Sequence, residues 1–341
     1  MAQAEKKSLV EPIRQLLRIR GMGPALTAFA GLVLIYISFG IINPMVFSSN
    51  NLMNLLRSMS KYLLIGIGQS YVLITGNIDL SIGSVVGMSA MISATLMTNG
   101  VPIVLAVFVT LVCCMSVGAI NGILVGKFKL PPFIATLGTM FVARGAAYMV
   151  NGNRNTDAIA SGVGKEAADS MQAFFYYGKT LGIYNTFWIA IVLFAVFFFL
   201  LAKTRTGRHI YAIGSNLEAA KLSGVNVEAT TTKTYLVSAF CSFVVGLILC
   251  GQAGMGNMEA GMMYEMYGVA AGVIGGVSPL GGTGILLGTL AGASVWQALE
   301  NGLNMIGAQV GLQRVVIGVI VVFAVLLDIV LRRRGKPFRK G

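Results

Sequence analysis

"YVLITGNIDLSIGSVVG", residues 71–87, interrupts an apolar chain with an acid. Asp79 stands between Asn77 and Ser81, with Gly76 before it and Gly83 after. Apolar residues run up to this stretch and away from it, and what surrounds it decides the fold. The 341 residues are 56% hydrophobic and only 11% charged, and the mean hydropathy is +0.79. A soluble domain carries about 25% charged residues. This chain cannot cover a globular surface with polar groups, so its solvent is lipid.

The net charge of +13 invites a nucleic-acid reading, but its distribution argues against one. Lys6, Lys7, Arg14, Arg18 and Arg20 precede the first apolar run; Lys127 and Lys129 lie in a short link. Lys203, Arg205, Arg208, Lys221 and Lys233 mark one polar loop, and six more basic residues fall in 332–340. Clusters of this kind between apolar runs are the positive-inside signature of a membrane protein. Cys113, Cys114, Cys241 and Cys250 all fall in apolar segments without metal spacing, and read as small buried hydrophobes. His209 stands in a basic loop with no ligand partner near it in sequence, and reads as a solvated surface residue. No metal or cofactor is expected.

A spanning helix needs about 20 apolar residues. The pattern predicts an all-α polytopic bundle with ten spans: 24–42, 61–76, 80–98, 102–126, 132–150, 185–203, 231–251, 267–281, 284–302 and 313–331. With the N-terminus inside, alternation puts all four basic clusters in the cytoplasm. The chain then reads as one membrane domain, 1–341. Its cytoplasmic parts are an N-terminal segment (1–23), a loop (204–230) and a basic tail (332–341). The first apolar run is near full spanning length and reads as an uncleaved span. The expectation is a multi-pass protein with both termini cytoplasmic, placed in the bacterial inner or plasma membrane.

Two spans look short, 61–76 and 267–281. Each ends in a Gly-rich break, "GNIDLSIG" and "GGVSPLGGTG", and each break precedes a small-residue helix. Non-helical backbone at membrane depth is tolerated only against protein or water, and paired broken helices point to a translocation path. The alternative is that both are interhelical turns. Many of the 43 glycines lie inside apolar runs, which suits closely packed membrane helices. The polar stretch 151–184 is expected outside, either as a docking surface or as a plain loop.

The cytoplasmic loop contains "GSNLEAAKLSGV", residues 214–225. Ser215-Asn216-Leu217-Glu218 fits a capping box, and Gly224 stands where a helix C-terminal glycine belongs. The reading is a short, defined helix over 216–223. That segment, with Ala219 and Ala220, looks like the coupling loop of ATP-binding-cassette importer permeases. "GNIDLSIGSVVG", "INGILVGKFKLPPFIATLGTMFVARG" and "YEMYGVAAGVIGGVSPLGGTG" together resemble the sugar permease family that includes the ribose and galactose permeases. The resemblance runs from about residue 50 to 331. It implies a homodimer or heterodimer of permeases in lipid, a cytoplasmic ATP-binding subunit on Ser215–Ala220 and Gly224, and an external sugar-binding protein. The chain carries no P-loop motif, which agrees with an ATPase on a separate subunit and with a transport, non-enzymatic role.

Asp79 then has two readings: a cap on the helix beginning near residue 80, or a path group accepting hydrogen bonds from sugar hydroxyls. Asn77, Ser81, Asn121, Thr136 and Thr139 are further path candidates, although Ser and Thr in membrane helices often bond only their own backbone. Asn121 and Arg144 have heads that need partners. Glu259, Tyr264 and Glu265 are expected at the outer mouth, as a docking face or a solvated one. Asp328 is expected to pair with Arg332. The runner-up is a proton- or sodium-coupled carrier using Asp79; a channel and an intramembrane enzyme are weaker, since no charged ring, HExxH or GxSxG is present. The sugar itself, whether ribose, galactose, another monosaccharide or a furanosyl signal such as autoinducer-2, is not readable.

Overall fold

The computed structural model describes residues 22–316, 318, 319 and 322. The segment 1–21, the basic tail 332–341 and the Asp328–Arg332 pair lie outside the described residues, as does most of 313–331. The chain forms helices α1 (Met22–Ile42), α2 (Ser49–Ile74), α3 (Ile82–Thr98), α4 (Ile103–Gly126) and α5 (Pro132–Met149). After the segment 151–184 come α8 (Asn185–Lys203), α9 (Arg205–Ser215), α10 (Leu217–Leu222), α11 (Val227–Ala253), α12 (Tyr264–Ile274) and α13 (Leu286–Met305). Residues 310–316 are again helical.

Among the described residues, four helices are long and apolar enough to cross a membrane: α1, α4, α8 and α11. The apolar window of α1 is only 17% buried and those of α4 and α8 28%. Leu34, Val104 and Phe199 point outward, whereas Gln69, Ser70, Asn121, Thr234 and Ser238 are buried. Apolar outside and polar inside is the arrangement lipid demands, so this is a helical membrane protein.

Of the two spans expected to be short, one is not and one is. The span read as 61–76 is the inner part of a 26-residue helix. Its first turns, "SNNLMNLLRS", are too polar to register as a span, and Ser48 caps them by accepting a bond from Asn51 N–H. Helix α12 is short, 11 residues.

Helix α2 is the centre of the bundle: every residue from Met59 to Ile74 is buried. Against it and α4 packs α11. Gly118, Gly122 and Gly126 recur every fourth residue along α4. A Cβ at Gly118 would lie 2.6 Å from Ala239 Cβ, and one at Gly122 2.5 Å from Thr232 Cα. Only hydrogen fits there, which is how small residues let membrane helices approach. Gly68 on α2 does the same against Ser238 Cα.

The stretch 151–184 is a built cap. It contains α6 (Ala160–Val163), α7 (Lys165–Gln172), a π-turn (Ala173–Tyr177) and a hairpin of β1 (Lys179–Thr180) with β2 (Ile183–Tyr184). Leu181 and Gly182 turn the hairpin, both at positive φ. Arg57 of α2 holds it down, its guanidinium 4.4 Å from the Tyr176 ring centroid and 4.1 Å from that of Tyr184. Burial raises the Tyr176 hydroxyl pKa, partly offset by that guanidinium. The cap is also bonded to the segment after α11, through Thr156 N–H to Gly256 O and Ile159 N–H to Gly254 O.

Candidate functional site

Between α2 and α3 the chain leaves helical geometry over 75–81, and Asp79 is 2% exposed. Its Oδ1 accepts from Ser81 N–H at 2.9 Å and Ser81 Oγ at 2.6 Å; Oδ2 accepts from Ser238 Oγ on α11 at 2.7 Å. A buried carboxylate is tolerable only when its oxygens are satisfied. Asp79 therefore does not cap the interior of α3: Ser81 is the N-cap and its side chain makes no cap bond. Asp79 instead closes a two-residue turn in front of the helix and ties it to α11.

From Ser81 the bonds continue. Asn121 Nδ2 donates to Ser81 Oγ at 2.9 Å, and Thr139 Oγ1 donates to Asn121 Oδ1 at 2.6 Å. Ser238, Asp79, Ser81, Asn121 and Thr139 thus form one polar chain joining α11, the break, α4 and α5. Ser238 is the member that sequence reasoning missed; its signal was a serine in an apolar helix, which usually bonds only its own backbone. Thr136 does just that, donating to Pro132 O. Asn77 stays local, donating to Thr75 Oγ1. Arg144 clamps three carbonyls, Met258 and Ala260 after α11 and Gly83 on α3.

The second non-helical segment, 275–285, touches the first. Gly282 N–H donates to Ile74 O at 2.8 Å, and a Cβ on Gly76 would sit 3.6 Å from Leu280 O. Helix α9 lies on both. A Cβ on Gly214 would collide with Ile74 O and with Gly282 N, and Tyr211 Oη donates to Gly284 O at 2.7 Å. Burial pushes the Tyr211 hydroxyl up to about 12, so it stays a neutral donor at physiological pH.

The expected short helix is present as α10, but its cap is different. Ser215 ends α9. Asn216 is the N-cap, its Oδ1 accepting from Ala219 N–H at 2.9 Å. Glu218 does not reach back; it pairs with Lys221 at 2.6 Å. The cause is α9 itself, whose helical geometry uses Ser215 as its last residue. Gly224 closes the far end at φ +79°, and Leu217, Ala219 and Gly224 are exposed while Ala220 packs inward. His209, on the same α9, is half-buried and not the fully solvated residue expected.

At the opposite end of the bundle, Glu259 and Tyr264 face a common cavity of ≈ 510 Å³. Glu265 does not: its carboxylate lies against Gly83 at the start of α3.

The family model for the permease component of branched-chain amino acid transport systems matches residues 51–325. The chain belongs to this permease family. The ribose import permease RbsC of Bacillus subtilis is 37% identical over 309 residues, 90% of this chain and 94% of that protein. RbsC of Haemophilus influenzae is 36% identical over 301 residues, 88% and 92% of the two chains. The galactose/methyl galactoside import permease MglC of Escherichia coli is 33% identical over 306 residues, 86% and 90%. No solved structure matches the chain. The permease's polar chain, touching breaks and docked α9–α10 arm are geometry that sequence similarity alone does not describe.

Proposed function

We propose that the protein is the membrane subunit of an ATP-driven importer and forms the translocation path for a monosaccharide. The relatives it matches over 86–88% of its length carry ribose, allose and galactose in their names, which supports the substrate class. In this reading the chain spans the membrane ten times with both termini cytoplasmic, as one domain, and works as a dimer. The segments 75–81 and 275–285 are breaks in membrane helices beside the path, and Asp79, Ser81, Asn121 and Thr139 hold the first of them in shape.

One observation carries the mechanical part: α9 rests on both breaks at once, through Gly214 and Tyr211. A cytoplasmic ATPase that moves α10 moves α9, and α9 has no slack against Ile74 and Gly282. Close packing transmits such shifts because packed cores have few voids. Substrate reaches the opposite side from an external binding protein, where the capped segment 151–184 and its neighbours offer a structured surface.

The test is reconstitution in vesicles with the partner ATPase and the exported binding protein. Uptake of labelled ribose, galactose or allose should require ATP, the ATPase and the binding protein. Uptake with no ATPase present, driven by a proton or sodium gradient, would sink the proposal and favour a secondary carrier.

A further inference from the structure

The cavity near Tyr264 is lined by Lys61, Gln252, Met255, Asn257 and Glu259, and its volume of ≈ 510 Å³ falls within the about 300–1,000 Å³ of small-molecule sites. Its polar groups are donors and acceptors set side by side. Lys61 is 9% exposed, and its ammonium donates to Gln252 Oε1 at 3.2 Å. An ammonium has three donors, so two are left for a guest. Glu259 supplies acceptors. Tyr264 offers a ring, with Tyr267 5.5 Å and Tyr62 6.1 Å from it between centroids. Trp296 extends the cluster 4.9 Å from Tyr267.

Deeper in the bundle two amides have unmet needs. Gln69 is 0% exposed, and neither its oxygen nor its nitrogen has a partner. It lies two turns along α2 from Tyr62, with its Cβ beside Gly268, the residue after Tyr267. Gln297 follows Trp296 and has a buried, unpartnered oxygen. Leaving a buried polar group unsatisfied costs about 1–3 kcal/mol. Such groups do not serve the stability of this state.

We propose that this cavity is the entry subsite of the translocation path for a neutral monosaccharide, with Gln69 and Gln297 as its next polar contacts inward. A sugar presents vicinal hydroxyls, each donor and acceptor, and an apolar face of C–H groups. Paired donors and acceptors beside a tyrosine ring match both. The proposal rests on the sugar-import reading above.

Two measurements test it. In a cysteine-free permease in vesicles, Met262→Cys on the cavity rim should be protected from a maleimide by millimolar ribose, galactose or allose and not by leucine; Ser170→Cys in the outer cap should label equally throughout. In the reconstituted importer, Gln69→Leu and Gln297→Leu should keep or raise thermal stability while uptake turnover falls about tenfold, the loss of one hydrogen bond to the moving sugar. Binding-protein affinity for sugar should not change. Unchanged turnover in both variants, with Met262→Cys unprotected, overturns the subsite while wild-type sugar uptake leaves the import reading standing. Absence of uptake of any sugar by the wild-type complex overturns that reading instead, and protection by leucine would reassign the cavity to another solute.

Discussion

The backbone N–H of Gly282 donates to the carbonyl of Ile74 at 2.8 Å. These residues are 208 apart in sequence, yet this bond joins two stretches, 75–81 and 275–285, where the chain leaves helical geometry. Gly214 of α9 sits against the same carbonyl. The three segments form a single joint.

Substituting Gly214 tests that joint. Gly214→Val puts a side chain where Ile74 O and Gly282 N already are. Overpacking a tight site costs about 1–3 kcal/mol, so the permease should still insert. Stimulation of the ATPase by loaded binding protein should fall sharply, read as ATP hydrolysis in the reconstituted importer. Full stimulation with normal uptake would mean that α9 does not carry the motion.

Asp79 gives a second prediction. In Asp79→Asn the amide oxygen can still accept from Ser81 N–H and Oγ, and its nitrogen can donate to Ser238 Oγ after the hydroxyl turns. Asp79→Ala leaves the Ser81 N–H unpaired in a buried place, at a cost of about 1–3 kcal/mol. Folded yield and uptake should therefore be near wild type for Asn and clearly lower for Ala. If Asn abolishes uptake in well-folded protein, the negative charge itself is required.

Side-selective labelling checks the topology. Ser170 and Ser215 are both exposed. As single cysteines in a cysteine-free background they should react from opposite faces of the membrane, Ser170 from outside. Labelling from the same face would rule out the ten-span arrangement.

The helices were legible where composition alone decides them. The run 185–203 matches Asn185–Lys203, and 102–126 matches Ile103–Gly126 to one residue. Such segments are apolar throughout, and lipid leaves them one option. The start of α2 was hidden because "SNNLMNLLRS" is polar, held by Ser48 and by the paired amides of Asn51 and Asn301. Helix α9 was hidden because "RTGRHIYAIGS" has two glycines and reads as loop; its helicity depends on the packing of Gly214 and Tyr211 against distant segments. The polar chain was half legible: Asp79, Ser81, Asn121 and Thr139 stood out by type, but Ser238 is joined to them only by the fold. The unpartnered Gln69 was invisible, since sequence does not say which polar groups lack partners.

The cap of α10 separates two readings of the same five residues. Asn216 accepts the Ala219 N–H, while Glu218 makes a surface pair with Lys221 and no bond to the backbone ahead of it. Loss of an N-cap side chain costs about 0.5–2 kcal/mol; an exposed pair three residues apart on a helix contributes about 0.2–0.5 kcal/mol. Asn216→Ala should therefore weaken α10 more than Glu218→Ala or Ser215→Ala. Gly224→Val should be the most severe, because a β-branched residue at φ +79° is strained whatever space surrounds it. All four positions are exposed and none of them lines the cavity at Tyr264, so insertion and sugar affinity of the binding protein should be unchanged. The measurement is ATP hydrolysis by the reconstituted importer, with and without loaded binding protein. The expected order of lost stimulation is Gly224→Val, then Asn216→Ala, then Glu218→Ala and Ser215→Ala close to wild type. A Glu218→Ala variant with intact helix but no stimulation would instead make that carboxylate a direct contact of the ATPase, and α10 would matter for its chemistry more than for its shape.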